Sequence, residues 1–214
     1  MNNLRKFSTE AEYGSATLNY PAVSWVTGTD TVHFDKTAPV VANNKVKIAF
    51  TTDVCGVGKR WNVLNTSYIT ETLAILNGIT VNGESFTPSG SDAELTLAAN
   101  TDYLIEYDLK DGVTDVNNFF SLQAAGGCSS TSIKYDILFP AQVGEINGLQ
   151  DAINNMILES ETPPTATFNN SDIISIVGIY VPDSAVNTYK SASGWSTFAN
   201  IIYPISEYSG NIPV

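Results

Sequence analysis

The chain has 214 residues, a hydrophobic content of 43% and a formal net charge of −12 with only 10 Lys and Arg. This length and hydrophobic content predict one large or two small folded domains that can each bury a core. The negative charge argues against a nucleic-acid surface, because phosphate contacts need clustered cations. No segment has the ~18 consecutive apolar residues that a transmembrane helix needs, so neither nucleic acid nor a membrane is expected as a partner.

Residues 1–40 are predicted to form an extended attachment arm, because they contain too few apolar residues for a core of their own. Within them, residues 23–26 and 31–34 alternate between apolar and polar side chains on either side of Gly28, which predicts a small β-hairpin. Aromatic residues are enriched in surfaces that another protein buries. We expect the arm to bind a second protein through Phe7, Tyr13, Tyr20, Trp25 and Phe34. The alternative is that these side chains fold onto the β-domain that follows.

Residues 41–109 are predicted to form a small, sandwich-like antiparallel β-domain, because short runs of alternating or β-branched residues follow one another at close spacing. The predicted strands are residues 46–50, 66–72, 79–81, 86–87, 95–97 and 103–107. Asn82 and Gly83 lie between two of these strands, and the Asn-Gly dipeptide is the strongest short signal for a β-hairpin.

Residues 110–214 are predicted to contain a short, degenerate array of repeats. Four apolar runs occupy residues 137–139, 156–158, 179–181 and 201–203, so their first residues are 19, 23 and 22 positions apart. This spacing is close to the period of leucine-rich repeats. Each unit of such an array buries its strand only against its neighbours, so the last unit must be capped. The whole chain is therefore predicted to be mainly β with some α-helix.

A strand–helix–strand pattern covers residues 179–205. Pro182 has no N–H group and is expected to end the first strand. Asp183 or Ser184 is the predicted N-cap of the helix, because either side chain can accept hydrogen bonds from its first free amides. Gly194 is the predicted C-cap. We expect the cap of the array to consist of Pro182, Tyr189, Gly194, Trp195 and Phe198. Trp195 is expected to be buried against this helix.

The segment YVPDSAVNTYKSASGWSTFANIIYPI within this pattern resembles the terminal repeat of BspA-like leucine-rich repeats, which occur in surface antigens of gut anaerobes. In that family a Val-Pro strand, an Ala-x-x-x-Tyr-Lys helix, a Gly-Trp pair and a closing Ile strand recur. Thr162, Pro163 and Pro164 match the usual opening of the last repeat. The resemblance implies that residues 110–214 form a leucine-rich-repeat-like domain with a C-terminal cap.

Three segments near the N-terminus, LRKFSTEAEY, YPAVSWV and DTVHFDK, resemble the start of virion structural proteins of crAss-like phages that infect such anaerobes. The downstream regions of those proteins differ, as is typical of a shared docking segment. The resemblance implies a non-enzymatic virion protein, such as a capsid-bound head fibre or a decoration component, assembled in the host cytoplasm. Its expected partners are other virion proteins of the capsid, the portal vertex or the tail.

The competing hypothesis is a bacterial cell-surface adhesin or a glycan-binding leucine-rich-repeat module, which would share the C-terminal repeat. An adhesin needs an export signal, whereas Arg5 and Lys6 are followed by no apolar stretch and no lipobox-like cysteine. This difference favours the virion protein, with a host surface glycan as a further candidate partner. Open strand edges are usually covered, so we also expect a homodimer or homotrimer.

The sequence offers no convincing catalytic or metal-binding set, so we expect neither enzymatic activity nor a cofactor. His33 is the only histidine, and it lies in an alternating strand rather than beside a nucleophile. The acidic residues between 108 and 117 lack the spacing of an EF-hand, which favours a solvated turn over a calcium site. Cys55 and Cys128 lie in different predicted segments and are expected to be free thiols, with a single disulfide as the alternative.

Overall fold

The computed structural model describes residues 23–25, 32–34, 44–52, 60–64, 66–88, 93–117, 121–125, 133–147, 153–167 and 176–213. The chain divides into two compact units, residues 1–43 and residues 44–214. In the first unit, strands β1 (Val23–Trp25) and β2 (Val32–Phe34) pair antiparallel. The hairpin predicted in the arm is therefore confirmed.

The second unit is mainly β with a few short helices, as the sequence predicted. Its strands and α-helices, in chain order, are β3 (Lys45–Thr51), β4 (Arg60–Asn62), α1 (Ile69–Ala74), β5 (Leu76–Val81), β6 (Glu84–Ser85), β7 (Glu94–Thr96), β8 (Asp102–Leu109), β9 (Asp115–Asn117), β10 (Ser121–Ala125), β11 (Tyr135–Phe139), β12 (Glu145–Asn147), β13 (Ile153–Leu158), β14 (Thr165–Thr167), β15 (Gly178–Val181), α2 (Val186–Ser191) and β16 (Ile202–Pro204). Short 3-10 helices add Thr66–Tyr68, Asp183–Ala185, Ser196–Ile201 and Ile205–Glu207.

An eight-stranded mixed sheet runs through this unit in the order β16-β15-β13-β11-β3-β8-β5-β6. Its antiparallel half comes from β3, β8, β5 and β6, and its parallel half from β11, β13, β15 and β16. The two halves join where β11 pairs antiparallel with β3. The predicted division into domains at residues 109 and 110 is therefore wrong, since both predicted domains contribute strands to the same sheet.

The four apolar runs predicted as repeats lie in adjacent parallel strands. Ile137 pairs with Met156, Met156 with Ile179, and Ile179 with Ile202, and these four buried side chains form one column across the sheet. A second parallel sheet, in the order β14-β12-β9, stacks Ala166, Ile146 and Val116 in the same way. Parallel strands need a crossover between them. β12 lies in the crossover from β11 to β13 and β14 in the crossover from β13 to β15, whereas the crossover from β15 to β16 contains α2.

A third sheet is antiparallel in the order β10-β4-β7. The chain between β4 and β5 differs from its prediction, because residues 66–72, expected to form a strand, begin a 3-10 helix that continues into α1. The physical reason is the spacing of the inward-facing side chains. Ile69, Thr72 and Ile75 all pack toward the core, and a spacing of three residues is that of a helix rather than a strand.

The hairpin predicted at Asn82 and Gly83 is confirmed. Both residues have positive φ angles, 51° and 82°, as a two-residue type I′ turn requires. The returning strand β6 follows the turn directly, so it begins two residues before the predicted residues 86–87.

The main core lies on the inner face of the eight-stranded sheet and includes described residues from Val46 in β3 to Ile202 in β16. A smaller apolar cluster lies on the outer face, where Ala49, Leu138 and Ile157 pack against Ile212 near the C-terminus. The last residues of the chain therefore cover part of the outer face, and this arrangement positions the site described next.

Candidate functional site

The cap predicted from the sequence is built around Trp195. Its side chain is 0% exposed, and its ring lies edge-on to Tyr189 with 5.4 Å between the ring centroids. Its Nε1 donates a hydrogen bond of 2.8 Å to the carbonyl of Pro164, while the Tyr189 hydroxyl donates one of 2.9 Å to the carbonyl of Ser160. The predicted burial of Trp195 against the helix is confirmed. These bonds also supply partners for carbonyls in the chain that leads into β14.

The remaining cap residues surround this pair. Strand β15 ends immediately before Pro182, as expected, and Phe198 is buried in the main core. Gly194 has a φ of +82°, which glycine adopts without the penalty of a side chain. It is not the C-cap, however, because α2 ends at Ser191 with Ala192 as its C-cap, and Gly194 lies in the turn that follows. Burial, followed by the carboxylate of Glu161, raises the pKa of Tyr189.

The predicted N-cap is also wrong. The N-cap of α2 is Ala185, with no hydrogen bond from a side chain, because a 3-10 turn precedes the helix. Asp183 instead accepts a hydrogen bond of 3.2 Å from the backbone of Ser206, and hydrogen bonds from Ser206 lower the pKa of Asp183. Ser184 donates to the carboxylate of Glu161 at 2.7 Å. Both side chains thus join separate elements rather than begin the helix.

A buried carboxylate lies on the outer face of the sheet. Asp136 in β11 is 8% exposed. Its Oδ1 accepts hydrogen bonds from the side-chain amides of Asn154 and Asn155, each at 3.0 Å, and from the backbone N–H of Asn155 at 3.1 Å. Its Oδ2 accepts a hydrogen bond of 2.7 Å from the hydroxyl of Tyr208. Sequence reasoning missed this residue, although a single acidic side chain inside the apolar run YDILF was an available signal.

Tyr208 ties the C-terminal residues to this carboxylate. Its hydroxyl also accepts a hydrogen bond of 3.2 Å from the backbone of Ile212, and Lys47 Nζ donates one of 3.1 Å to the carbonyl of Pro213. Burial raises the pKa of Tyr208, and its hydrogen bond to Asp136 raises it further. An added Cβ on Gly210 would come within 2.5 Å of Asp136 Oδ2, so the backbone lies directly against the pair.

Aromatic rings extend this region toward the end of the sheet. Tyr180 lies edge-on to Tyr208 with 5.1 Å between ring centroids, and 5.7 Å from the ring of Tyr203. Burial, followed by the nearby Tyr203 and Asp136, raises the pKa of Tyr180. The three tyrosines form a continuous aromatic patch on β15, β16 and the chain that follows them.

An open cavity of about 450 Å³ lies beside Asp136. Its floor is formed by β3, β11 and β13, and part of its wall by residues near the C-terminus. Its polar lining residues are Thr51, Lys134, Asp136, Asn154, Asn155 and Asn211. A second groove of about 520 Å³ lies between β14 and α2 and is lined by proline and by small side chains such as Ala166, Thr188 and Ser191.

Of the other residues singled out from the sequence, three lie in described strands of the first unit. Trp25 and Phe34 lie in the paired strands β1 and β2, as does His33, which pairs with Ser24. Phe7, Tyr13, Tyr20, Cys55 and Cys128 lie outside the described residues. In the predicted acidic turn, Asp111 accepts a hydrogen bond of 3.2 Å from Asn44. Among the described residues, no three acidic, histidine or cysteine side chains are close enough to hold a metal ion.

Comparison of the sequence with protein families and with curated proteins gives no match. Within the described part of the chain, no helix is both long and apolar enough to span a membrane.

Proposed function

We propose that this chain is a non-enzymatic virion structural protein that attaches to other virion proteins through residues 1–43. The observation that carries the proposal is the division of the chain into two compact units, of which the second contains the buried core described above. A first unit that carries a hairpin with Trp25 and Phe34 in its strands is suited to docking, since aromatic side chains contribute strongly to protein–protein binding.

Residues 44–214 would then form the body of a capsid-bound head fibre or decoration component. Support comes from the stacked parallel strands, whose last turn is closed by Trp195, and from the resemblance of this end to leucine-rich repeats. The protein would be assembled in the host cytoplasm and located in the virion, and its partners would be capsid, portal-vertex or tail proteins. The sheet ends in β16 and β6, and such edge strands are sites where further copies can pair to give a homodimer or homotrimer.

The decisive experiment compares particles assembled with the full chain and with residues 44–214 alone. The truncated chain should fold and remain soluble but be absent from purified particles in a mass-spectrometric inventory. The double variant Trp25→Ala and Phe34→Ala should reduce incorporation as well. Tyr68→Ala is the matched control, because Tyr68 is 45% exposed in the second unit and lies outside the attachment unit. Normal incorporation of the truncated chain would contradict the proposal.

The alternative function is a bacterial cell-surface adhesin or glycan-binding module, and the polar cavity beside Asp136 is the observation that favours it. The two functions differ in where the native protein is found. Detection in purified particles supports the virion protein, whereas detection on the surface of uninfected cells supports the adhesin.

A further inference from the structure

The cavity beside Asp136 has the chemical character of a ligand site rather than of a packing defect. Its volume of about 450 Å³ falls within the ~300–1,000 Å³ that is usual for small-molecule sites. A buried carboxylate reaches its wall, although a charged group is costly to bury unless it is well hydrogen-bonded. Four hydrogen bonds hold Asp136 in place. The site is therefore organised before any ligand arrives, which lowers the entropic cost of binding.

The charges and hydrogen-bonding groups of the lining indicate which ligand fits. The carboxylate of Asp136 and the ammonium of Lys134 carry opposite charges, so the two ionic groups of the wall balance each other. The other polar side chains are neutral amides and a hydroxyl, which offer both donors and acceptors. A ligand with a net charge would gain little from such a lining, whereas one with many neutral hydroxyl groups matches it.

Acceptor positions remain available on the groups that hold the site together. Oδ2 of Asp136 accepts a single hydrogen bond, from Tyr208, and a carboxylate oxygen has room for a second. Asn154 uses its amide N–H₂ group on Asp136, which leaves its carbonyl oxygen as an acceptor. Below these groups, the buried residue Ala49 contributes an apolar floor from the outer face of β3. The cavity thus combines polar walls with an apolar base.

We propose that this cavity binds a neutral saccharide, with Asp136, Asn154 and Lys134 hydrogen-bonding its hydroxyl groups and Ala49 facing its C–H surface. Each sugar hydroxyl donates and accepts, so it pairs with a carboxylate or amide oxygen on one side and with an ammonium or amide N–H on the other. The second groove, between β14 and α2, is larger but has no charged lining residue, so it serves as the internal comparison. The proposal is independent of the attachment role of residues 1–43.

The test uses the full chain on an array of neutral, acidic and amino glycans, followed by titration of the best-bound neutral monosaccharide by nuclear magnetic resonance. We expect neutral glycans to bind and to give chemical-shift changes in β3, β11 and β13. Lys134→Ala and Asn211→Ala should each weaken binding about tenfold, the effect of losing one charged or well-placed hydrogen bond. Both side chains are exposed, so the fold should be kept, and an unchanged melting temperature verifies this.

Thr188→Ala is the control, because it alters the second groove and should leave saccharide binding unchanged. The proposal is overturned if no neutral glycan binds, or if acidic glycans bind better than neutral ones. It is equally overturned if Lys134→Ala and Asn211→Ala both bind as tightly as the unaltered chain, because the saccharide would then occupy another surface.

Discussion

At the scale of single residues, Trp195 performs two tasks that its sequence position suggests only in part. Its ring fills the space between α2 and the sheet, and its N–H group supplies a partner for the carbonyl of Pro164. The first task follows from an apolar residue after a helix. The second depends on a residue 31 positions earlier in the chain.

Replacement of this tryptophan should be costly. Trp195→Ala removes a fully buried side chain and is expected to lower the free energy of unfolding by about 3–5 kcal/mol. Trp195→Phe should lower it less, since an aromatic ring remains while the hydrogen bond to Pro164 is lost. Denaturant unfolding measures both variants, and a loss of less than about 0.5 kcal/mol for Trp195→Ala would show that the cap does not depend on this residue.

Tyr208 and Asp136 form the second important contact at this scale. Tyr208→Phe removes one of the four hydrogen bonds to a buried carboxylate and should lower the free energy of unfolding by about 1–2 kcal/mol. Tyr203→Phe is the control, because that hydroxyl makes only a long contact of 3.4 Å with the carbonyl of Asn200. Equal stability losses in the two variants would contradict a specific role for the contact with Asp136.

The same residue predicts a change of stability with pH. The pKa of Tyr208 is raised above its usual 10.0 in the folded protein, so the unfolded chain loses this proton first as the pH rises. The stability that Tyr208 contributes is therefore present below about pH 10 and is lost as the pH rises toward the folded-state pKa. The measurement is the thermal unfolding midpoint from neutral pH to above about pH 10. With rising pH this midpoint should fall less steeply in Tyr208→Phe than in the unaltered chain. The pKa values of Tyr107 and Tyr189 are also raised, so the variant should still lose some stability as the pH rises.

At the scale of elements, local signals predicted turns and strands better than helix ends. Asn82 and Gly83 formed the predicted turn because both can adopt positive φ angles at low cost. The caps of α2 were predicted wrongly, because Asp183 and Ser184 bind Ser206 and Glu161 instead of the helix amides. The hydrogen-bond partners of a side chain are chosen among its neighbours in space, and the spacing of residues in the sequence does not specify those neighbours.

Gly194 allows an element-scale test. Its φ of +82° is unfavourable for any residue with a Cβ, and an added Cβ would lie 3.4 Å from the carbonyl oxygen of Ala166. Gly194→Ala should therefore destabilise the protein by about 1–2 kcal/mol. Gly78→Ala in β5 is the matched control, since an added Cβ there meets no atom within 4 Å. If thermal unfolding shows the same midpoint for both variants, the turn after α2 tolerates a side chain and the argument fails.

At the scale of the whole molecule, the main finding is that one sheet unites regions that look separate in the sequence. β3 lies between β8 from the antiparallel half and β11 from the parallel half. A fragment of residues 44–109 would lack β11 and part of the shared core. We expect it to show no cooperative unfolding transition, whereas residues 44–214 should show one. Circular dichroism during heating measures both, and a cooperative transition in the shorter fragment would restore the predicted domain boundary.

Self-association is also a property of the whole molecule. Because the eight-stranded sheet ends in β16 and β6, we expect residues 44–214 to form a dimer or trimer through a strand edge. Light scattering of this fragment beside the full chain determines the mass of each. A monomer at tens of micromolar would count against a strand-edge interface.

The sequence by itself determined the features that depend on near neighbours. These include the mainly β composition, the hairpin at Asn82 and Gly83, the spacing of the four parallel strands and the burial of Trp195. Each follows from a period, a dihedral preference or an apolar side chain within a few residues. Only the tertiary structure decided the helix at residues 69–74, the joining of β3 to β11 and the site at Asp136. The last of these depends on Tyr208, which lies 72 positions from Asp136, and no local pattern specifies a contact between residues so far apart.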